Sequence, residues 1–212
     1  MKSLLAIGMI TFSLSFCNFL NKNKNENDNG NSNNKNSSSS SSSSGSDIKV
    51  ERPDPTAAQT ASVANGASAK WDQQGITWTL PLKWKSMDVK KESFNFMSGD
   101  GAFLLVNISP MSDDFPVDSS INAYYKAKGD EMKNGKIEEF KMLELDGVKG
   151  VQWRESMPED KSGPRRLQWI AYRKFGGQVQ MVNVMLSTDG SKFADHQDEF
   201  YGILYSTKLV HD

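Results

Sequence analysis

A chain of 212 residues with 25 basic and 26 acidic side chains and a single cysteine lacks the positive field that drives nucleic-acid binding and the paired thiols of a disulfide scaffold. Its aromatic residues are unevenly placed, since all five tryptophans and all five tyrosines follow residue 69. One ordinary domain with one core is therefore expected, preceded by a segment of another kind.

That first segment has Lys2 and then about 13 mostly apolar residues from Leu4 to Phe16, the architecture of a signal-peptide core. A spanning helix needs roughly 20 apolar residues, and extending the run to Leu20 would bury Thr11, Ser13, Ser15 and Asn18. Leu14-Ser15-Phe16-Cys17 resembles a bacterial lipoprotein processing box, with Phe16 where that pattern has a small residue. The resemblance implies cleavage after residue 16 and a lipid thioether on Cys17. Two alternatives stay open: cleavage after Ser15 at Ser13-Leu14-Ser15, and retention as an uncleaved anchor. The lone thiol favours lipidation, because an exported unpaired cysteine is a liability unless something uses it.

Residues 17–69 read as a tether. Residues 21–47 contain no apolar side chain, and Ser37 to Ser44 is an unbroken serine tract. Such a segment buries too little to offset its ordering entropy. The small, polar composition with Pro53 and Pro55 continues to Ala69. About 50 flexible residues span roughly 40 Å on average, enough to hold a domain off a bilayer. The charges agree, with five basic and five acidic residues in 17–69 against 19 and 21 in 70–212.

From residue 70 the elements follow one another. Ile76, Trp78 and Leu80 alternate as on a half-buried strand, which Pro81 ends. "SFNFM" (93–97) is a second strand. Ser98-Gly99-Asp100-Gly101 turns it into "AFLLVNIS" (102–109), whose continuous apolar run predicts a central strand covered on both faces. Residues 117–135 change period to a helix with Ile121, Tyr124, Tyr125 and Met132 inward, capped by Asp118 or Ser119 and ended by Gly135. Two hairpins follow, turning at Asp146-Gly147 and Gly176-Gly177. A last helix carries Phe193, Phe200, Ile203 and Leu204 on one face, with Ser191 or Asp189 at its cap. Residues 206–210 either add an edge strand or run along the sheet. Hairpins impose antiparallel pairing, and two amphipathic helices cover sheet faces, so the fold class is α+β around a central antiparallel sheet.

The opening "WTLPLKWK" and the ending "FYGILYSTKL" resemble the F-x-x-P-x-x-W start and F-x-x-I-x-x-S-F/K end of the Mog1/PsbP-like superfamily. The resemblance implies an α/β/α sandwich. It also implies binding or assembly work without catalysis, as in nuclear-transport cofactors, photosystem extrinsic proteins and many bacterial lipoproteins.

Residues with reactive chemistry are sparse. His196 sits beside Asp195, Asp198 and Glu199, and reads as part of a solvated helix face, because two ligands at i, i+3 make no tight metal site. His211 reads as a frayed end. No Gly-x-Ser-x-Gly elbow or Gly-rich phosphate loop occurs, and no cofactor is expected. Glu138 and Glu139, adjacent on a strand, are predicted to face opposite ways. Arg165 and Arg166 read as a solvated strand end. Trp153, Trp169 and Tyr172 are the candidate ligand or partner patch, although Trp169 and Tyr172 alternate in direction and cannot both join it. The expectation is a lipid-anchored envelope protein whose domain binds an envelope protein partner. A hydrolase using His196 and a carrier of a small apolar ligand between sheet and helix are the alternatives.

Overall fold

The computed structural model describes residues 48–212. The leader at 1–16, Cys17 and the tether up to residue 47 lie outside the described residues. Strands β1 (Val50–Glu51), β2 (Ala67–Trp71), β3 (Ile76–Leu80), β4 (Lys85–Val89), β5 (Ser93–Met97) and β6 (Phe103–Pro110) come first, with helix α1 (Ala57–Val63) after β1. Helix α2 (Val117–Lys133) leads into β7 (Ile137–Leu145), β8 (Val148–Glu155), β9 (Pro164–Phe175) and β10 (Gln178–Asp189). Helix α3 (Phe193–Tyr205) and β11 (Lys208–Leu209) close the chain.

Eight strands form one sheet in the order β1-β7-β8-β9-β10-β6-β5-β4, and β11-β3-β2 form a second. All pairs are antiparallel except β1 with β7. The hairpin turns are of the expected type: Asp146 and Gly147 have φ of 48° and 86°, Gly176 and Gly177 of 59° and 80°. Positive φ at both central residues matches the right-handed twist of the flanking strands. One face of the large sheet, the inner face, carries Leu104, Val106, Leu167, Trp169, Val182, Val184 and Leu186 into the main core, with the small sheet and α3 packed on it. The other face, the outer one, receives α2 over β7, β8 and β9. The fold is α+β with a central sheet between helical layers.

Several expectations need correction. The folded unit begins near residue 48, not 70. Ile48 packs against the cluster under α2, β1 pairs with β7, and α1 lies against α3. Helix α1 opens with a capping box, in which the Gln59 N–H bonds Thr56 Oγ1 and the Thr56 N–H bonds Gln59 Oε1. Strand β6 is buried on one face only, with Leu104, Val106 and Ile108 enclosed while Asn107 is exposed. Helix α2 starts after Pro116 with no side-chain cap bond, and Met132 is exposed. A single 3-10 turn, Gly190–Lys192, leads into α3, and neither Asp189 nor Ser191 caps it. Residues 206–210 supply β11, an edge strand of the small sheet. His211 is held, its Nε2 3.0 Å from Asp146 O, and Asp212 Oδ2 accepts the Gly177 N–H at 2.9 Å.

Candidate functional site

Helix α2 is about 10 Å wide, whereas eight strands at their usual spacing span about 34 Å. One helix therefore covers only part of the outer face. Its contacts are aromatic: Tyr124 to Trp153 at 5.7 Å, Tyr125 to Phe140 at 4.9 Å, and, from the loop before it, Phe115 to Tyr172 at 4.8 Å. The space between α2 and the sheet is filled by Ile121, Ile137, Met142, Val151, Trp153 and Ile170, where a carried apolar ligand would have to sit.

Beyond Tyr172, among the described residues, no layer covers the outer face of β10, β6, β5 and β4. The register places Ser187, Phe103, Met97 and Lys85 in one row across these strands, and Met185, Leu105, Asn95 and Asp88 in the next. A third row holds Asn183, Asn107 and Ser93. Phe103, Leu105, Met181 and Met185 are half-buried and Met97 is 36% exposed. The amide oxygen of Asn183 is enclosed without a hydrogen-bond partner, which costs free energy in the fold itself. The strip combines pliable thioethers, two larger apolar groups and three amides. That chemistry suits a surface which receives an apolar segment and hydrogen-bonds its backbone.

The structure does not bring the predicted aromatic patch together. Trp169 is closed in the inner core, its Nε1–H donating to Leu143 O at 3.1 Å. Trp153 lies on the opposite face beneath α2, with Lys128 Nζ 4.1 Å from its ring centroid. Tyr172 alone borders the open strip, opposite Met181. The strip itself escaped the sequence reading because a run such as "AFLLVNIS" does not say which face will lack a cover.

His196 is buried, contrary to expectation. It stacks on Phe200 with ring centroids 5.6 Å apart, its Nδ1 lies 3.5 Å from Glu199 Oε1 and its Nε2 3.9 Å from Asp100 Oδ1. Lys83 Nζ closes the group, 3.0 Å from Asp100 and 3.2 Å from Glu199. Trp84 Nε1–H donates to Glu199 at 3.0 Å. The Lys83 ammonium is held above its ordinary pKa: burial pulls it down, but hydrogen bonds to the two carboxylates outweigh that. The Ser98 hydroxyl donates to Asp100 and accepts the Ala102 N–H. It is fully enclosed, so this is a tied turn and not an exposed nucleophile.

The Ser98 hydrogen bond is the main cause holding the Asp100 carboxyl down to about 2, with Lys83 adding to it. A depressed folded-state value lends stability above the unfolded value near 4 and loses it as pH falls towards 2. Ser98→Ala is expected to return the Asp100 midpoint towards the ordinary carboxylate range. A carboxyl-carbon NMR titration checks this, and an unmoved midpoint would assign the shift to Lys83 instead.

Glu138 and Glu139 also depart from expectation. A bulge between Ile137 and Glu139 breaks the alternation of β7, and both carboxylates reach Arg154, at 3.4 and 3.2 Å. Arg165, buried and not at a solvated end, bonds Glu138 at 2.7 Å. Tyr201 donates to Glu139, and burial together with that ionised acceptor raises its hydroxyl pKa strongly. The two acids are neutralised by two guanidinium groups, a static network joining β7, β8, β9 and α3. Among the described residues no group of three or more His, Cys, Asp or Glu side chains could hold a metal ion. No helix among them is long and apolar enough to cross a membrane.

No family model and no curated protein sequence matches the chain. Solved structures are similar to it in fold. Cyanobacterial PsbP from Synechocystis sp. PCC 6803 is 15% identical, with 68% of this chain and 92% of that one covered and a TM-score of 0.45. LpqN of Mycobacterium tuberculosis, described as involved in cell envelope biogenesis, is 12% identical over 68% and 85% of the two chains, with a TM-score of 0.47. The Saccharomyces cerevisiae Ran-binding protein Mog1p is 9% identical over 69% and 96%, with a TM-score of 0.42.

Proposed function

We propose that residues 48–212 form a non-catalytic binding module, held at a bacterial envelope membrane by lipid on Cys17, and that a protein partner docks on the open strip of β10, β6 and β5. The observation that carries the docking surface is the half-covered outer face, with Phe103, Leu105 and Met185 in adjoining rows and Asn107 exposed beside them. The membrane address rests on the leader and its lone cysteine. Residues 18–47, a polar leash, let the module meet its partner away from the bilayer.

The reading is tested with a photo-crosslinking residue placed in living cells at Asn107, within the strip, and at Ser162, in the loop before β9. A discrete protein adduct is expected from position 107 alone. Leu105→Lys should abolish it and His196→Ala should leave it, while Cys17→Ser should release the chain from the membrane fraction. An adduct equally strong from position 162, or one indifferent to Leu105→Lys, would remove the strip as the docking surface. Loss of a hydrolytic activity in the His196 variant would replace the binder with an enzyme.

A further inference from the structure

The free edge of the large sheet carries a chemistry that the open strip does not account for. Among the described residues β4 pairs only with β5. Residues 82–91 read Leu-Lys-Trp-Lys-Ser-Met-Asp-Val-Lys-Lys. Leu82 is 74% exposed, Met87 52% and Val89 46%, and Met97, opposite Lys85, is also solvent-facing. These are four of the eight exposed large apolar residues in the described chain, gathered within 16 positions.

Four lysines, Lys83, Lys85, Lys90 and Lys91, stand among them against Asp88 and Glu92. Lys83 and Lys90 are ion-paired, whereas Lys85 and Lys91 have no ion-pair partner among the described residues. Lysines and a bulge, here between Ser86 and Asp88, are the ordinary protection of a sheet edge against pairing. Protection does not require leucine, methionine and valine in water at the same edge. Nor is the segment loose. The Pro81 carbonyl accepts the Trp84 N–H at 2.9 Å in the turn that presents Leu82, and the Lys90 and Lys91 carbonyls accept the Trp71 and Gln74 side-chain N–H groups at 2.8 and 2.6 Å. The apolar groups are held outward on a fixed frame.

We propose that this rim is a membrane-contact surface for an anionic bilayer. Leu82, Met87 and Val89 enter the boundary between headgroups and acyl chains, and the unpaired lysines meet the headgroup charge. The placement takes its setting from the reading of a chain tethered beside a bilayer. It sets the large sheet edge-on to the membrane, so that the strip on β10, β6 and β5 faces sideways and stays open to a partner.

The test uses the full chain carrying Cys17→Ser, so that no lipid is attached. Its co-sedimentation is measured with vesicles of phosphatidylcholine alone and with phosphatidylglycerol admixed. The leader is common to every variant, so differences between variants report on the rim. Binding is expected on the anionic vesicles and should weaken with salt. Each neutralised lysine is worth about fivefold, so Lys85→Glu with Lys91→Glu should weaken binding by more than tenfold. Leu82→Ser with Met87→Ser should weaken it about tenfold, and Lys161→Glu with Lys174→Glu should change it little. Unchanged melting curves keep folding out of the comparison. Binding that ignores lipid charge, or that survives the rim reversals, or that falls equally in the Lys161 and Lys174 control, overturns the proposal. The strip is tested separately by crosslinking to protein, so either idea can fail alone.

Discussion

Trp169→Ala is expected to lower the stability of the folded unit by about 3–5 kcal/mol, the cost of emptying a fully enclosed aromatic site. The ring lies in the inner core with no exposed surface, and its Nε1–H satisfies the carbonyl of Leu143 on β7. Removing it opens a cavity and takes a buried donor from the Leu143 carbonyl at once. The neighbouring strand has been fitted to this ring: a Cβ on Gly150 would lie 2.5 Å from two indole atoms and 2.6 Å from the Ile170 carbonyl. Gly150→Ala is therefore an overpacking change of about 1–3 kcal/mol in the parent. The two sites share one space, so the glycine change should cost less once the indole is gone, with an interaction energy of about 1 kcal/mol or more. Urea unfolding of the four chains closes the cycle. Additive effects would mean that the backbone at Gly150 relaxes independently of the ring.

The same strands illustrate what sequence can and cannot convey. Asp146-Gly147 and Gly176-Gly177 announce their hairpins because both central residues of such turns need positive φ, and that is a local requirement. Trp153, Trp169 and Tyr172 are legible as sheet residues for the same kind of reason, since alternation is local. Their usefulness as a patch is not local, because it depends on where α2 comes to rest, and α2 rests on Trp153. Glu138 and Glu139 are misread because a bulge cancels the alternation without any glycine or proline to mark it. His196 is misread because its sequence neighbours Asp195, Gln197 and Asp198 are polar, while Asp100 and Lys83, which enclose it, come from distant turns. Only one overlooked element had a local signal. Thr56-Ala57-Ala58-Gln59 is a capping-box pattern, hidden inside a segment whose small polar composition reads as linker.

Helix α1 is held in place by a glycine of its neighbour α3. Gly202→Val is expected to destabilise the unit by about 3 kcal/mol, at the upper end of overpacking costs. No residue of α1 is fully buried, so the helix is held by Val63, which packs on the main core, and by the closeness of its backbone to α3. A Cβ at position 202 would lie 2.5 Å from the Gln59 carbonyl and 2.7 Å from Ser62 Oγ. The Ser62 hydroxyl also ties the two helices, 2.7 Å from Gln59 O and 3.3 Å from Asp198 O. A valine cannot be accommodated by rotating a side chain, because the nearest obstacle is main chain. Either α1 lifts off or α3 shifts out of the core, where Phe200, Ile203 and Leu204 are fully enclosed. Lifting α1 is the smaller loss, so limited proteolysis with elastase, which cuts after small side chains, should show Ala57–Val63 cut faster in the variant while the hairpins stay protected, alongside a lowered unfolding midpoint. Were residues 48–69 the free leash that their composition resembles, the substitution would meet only water. An unchanged midpoint and an unchanged cutting rate would be the sign of that.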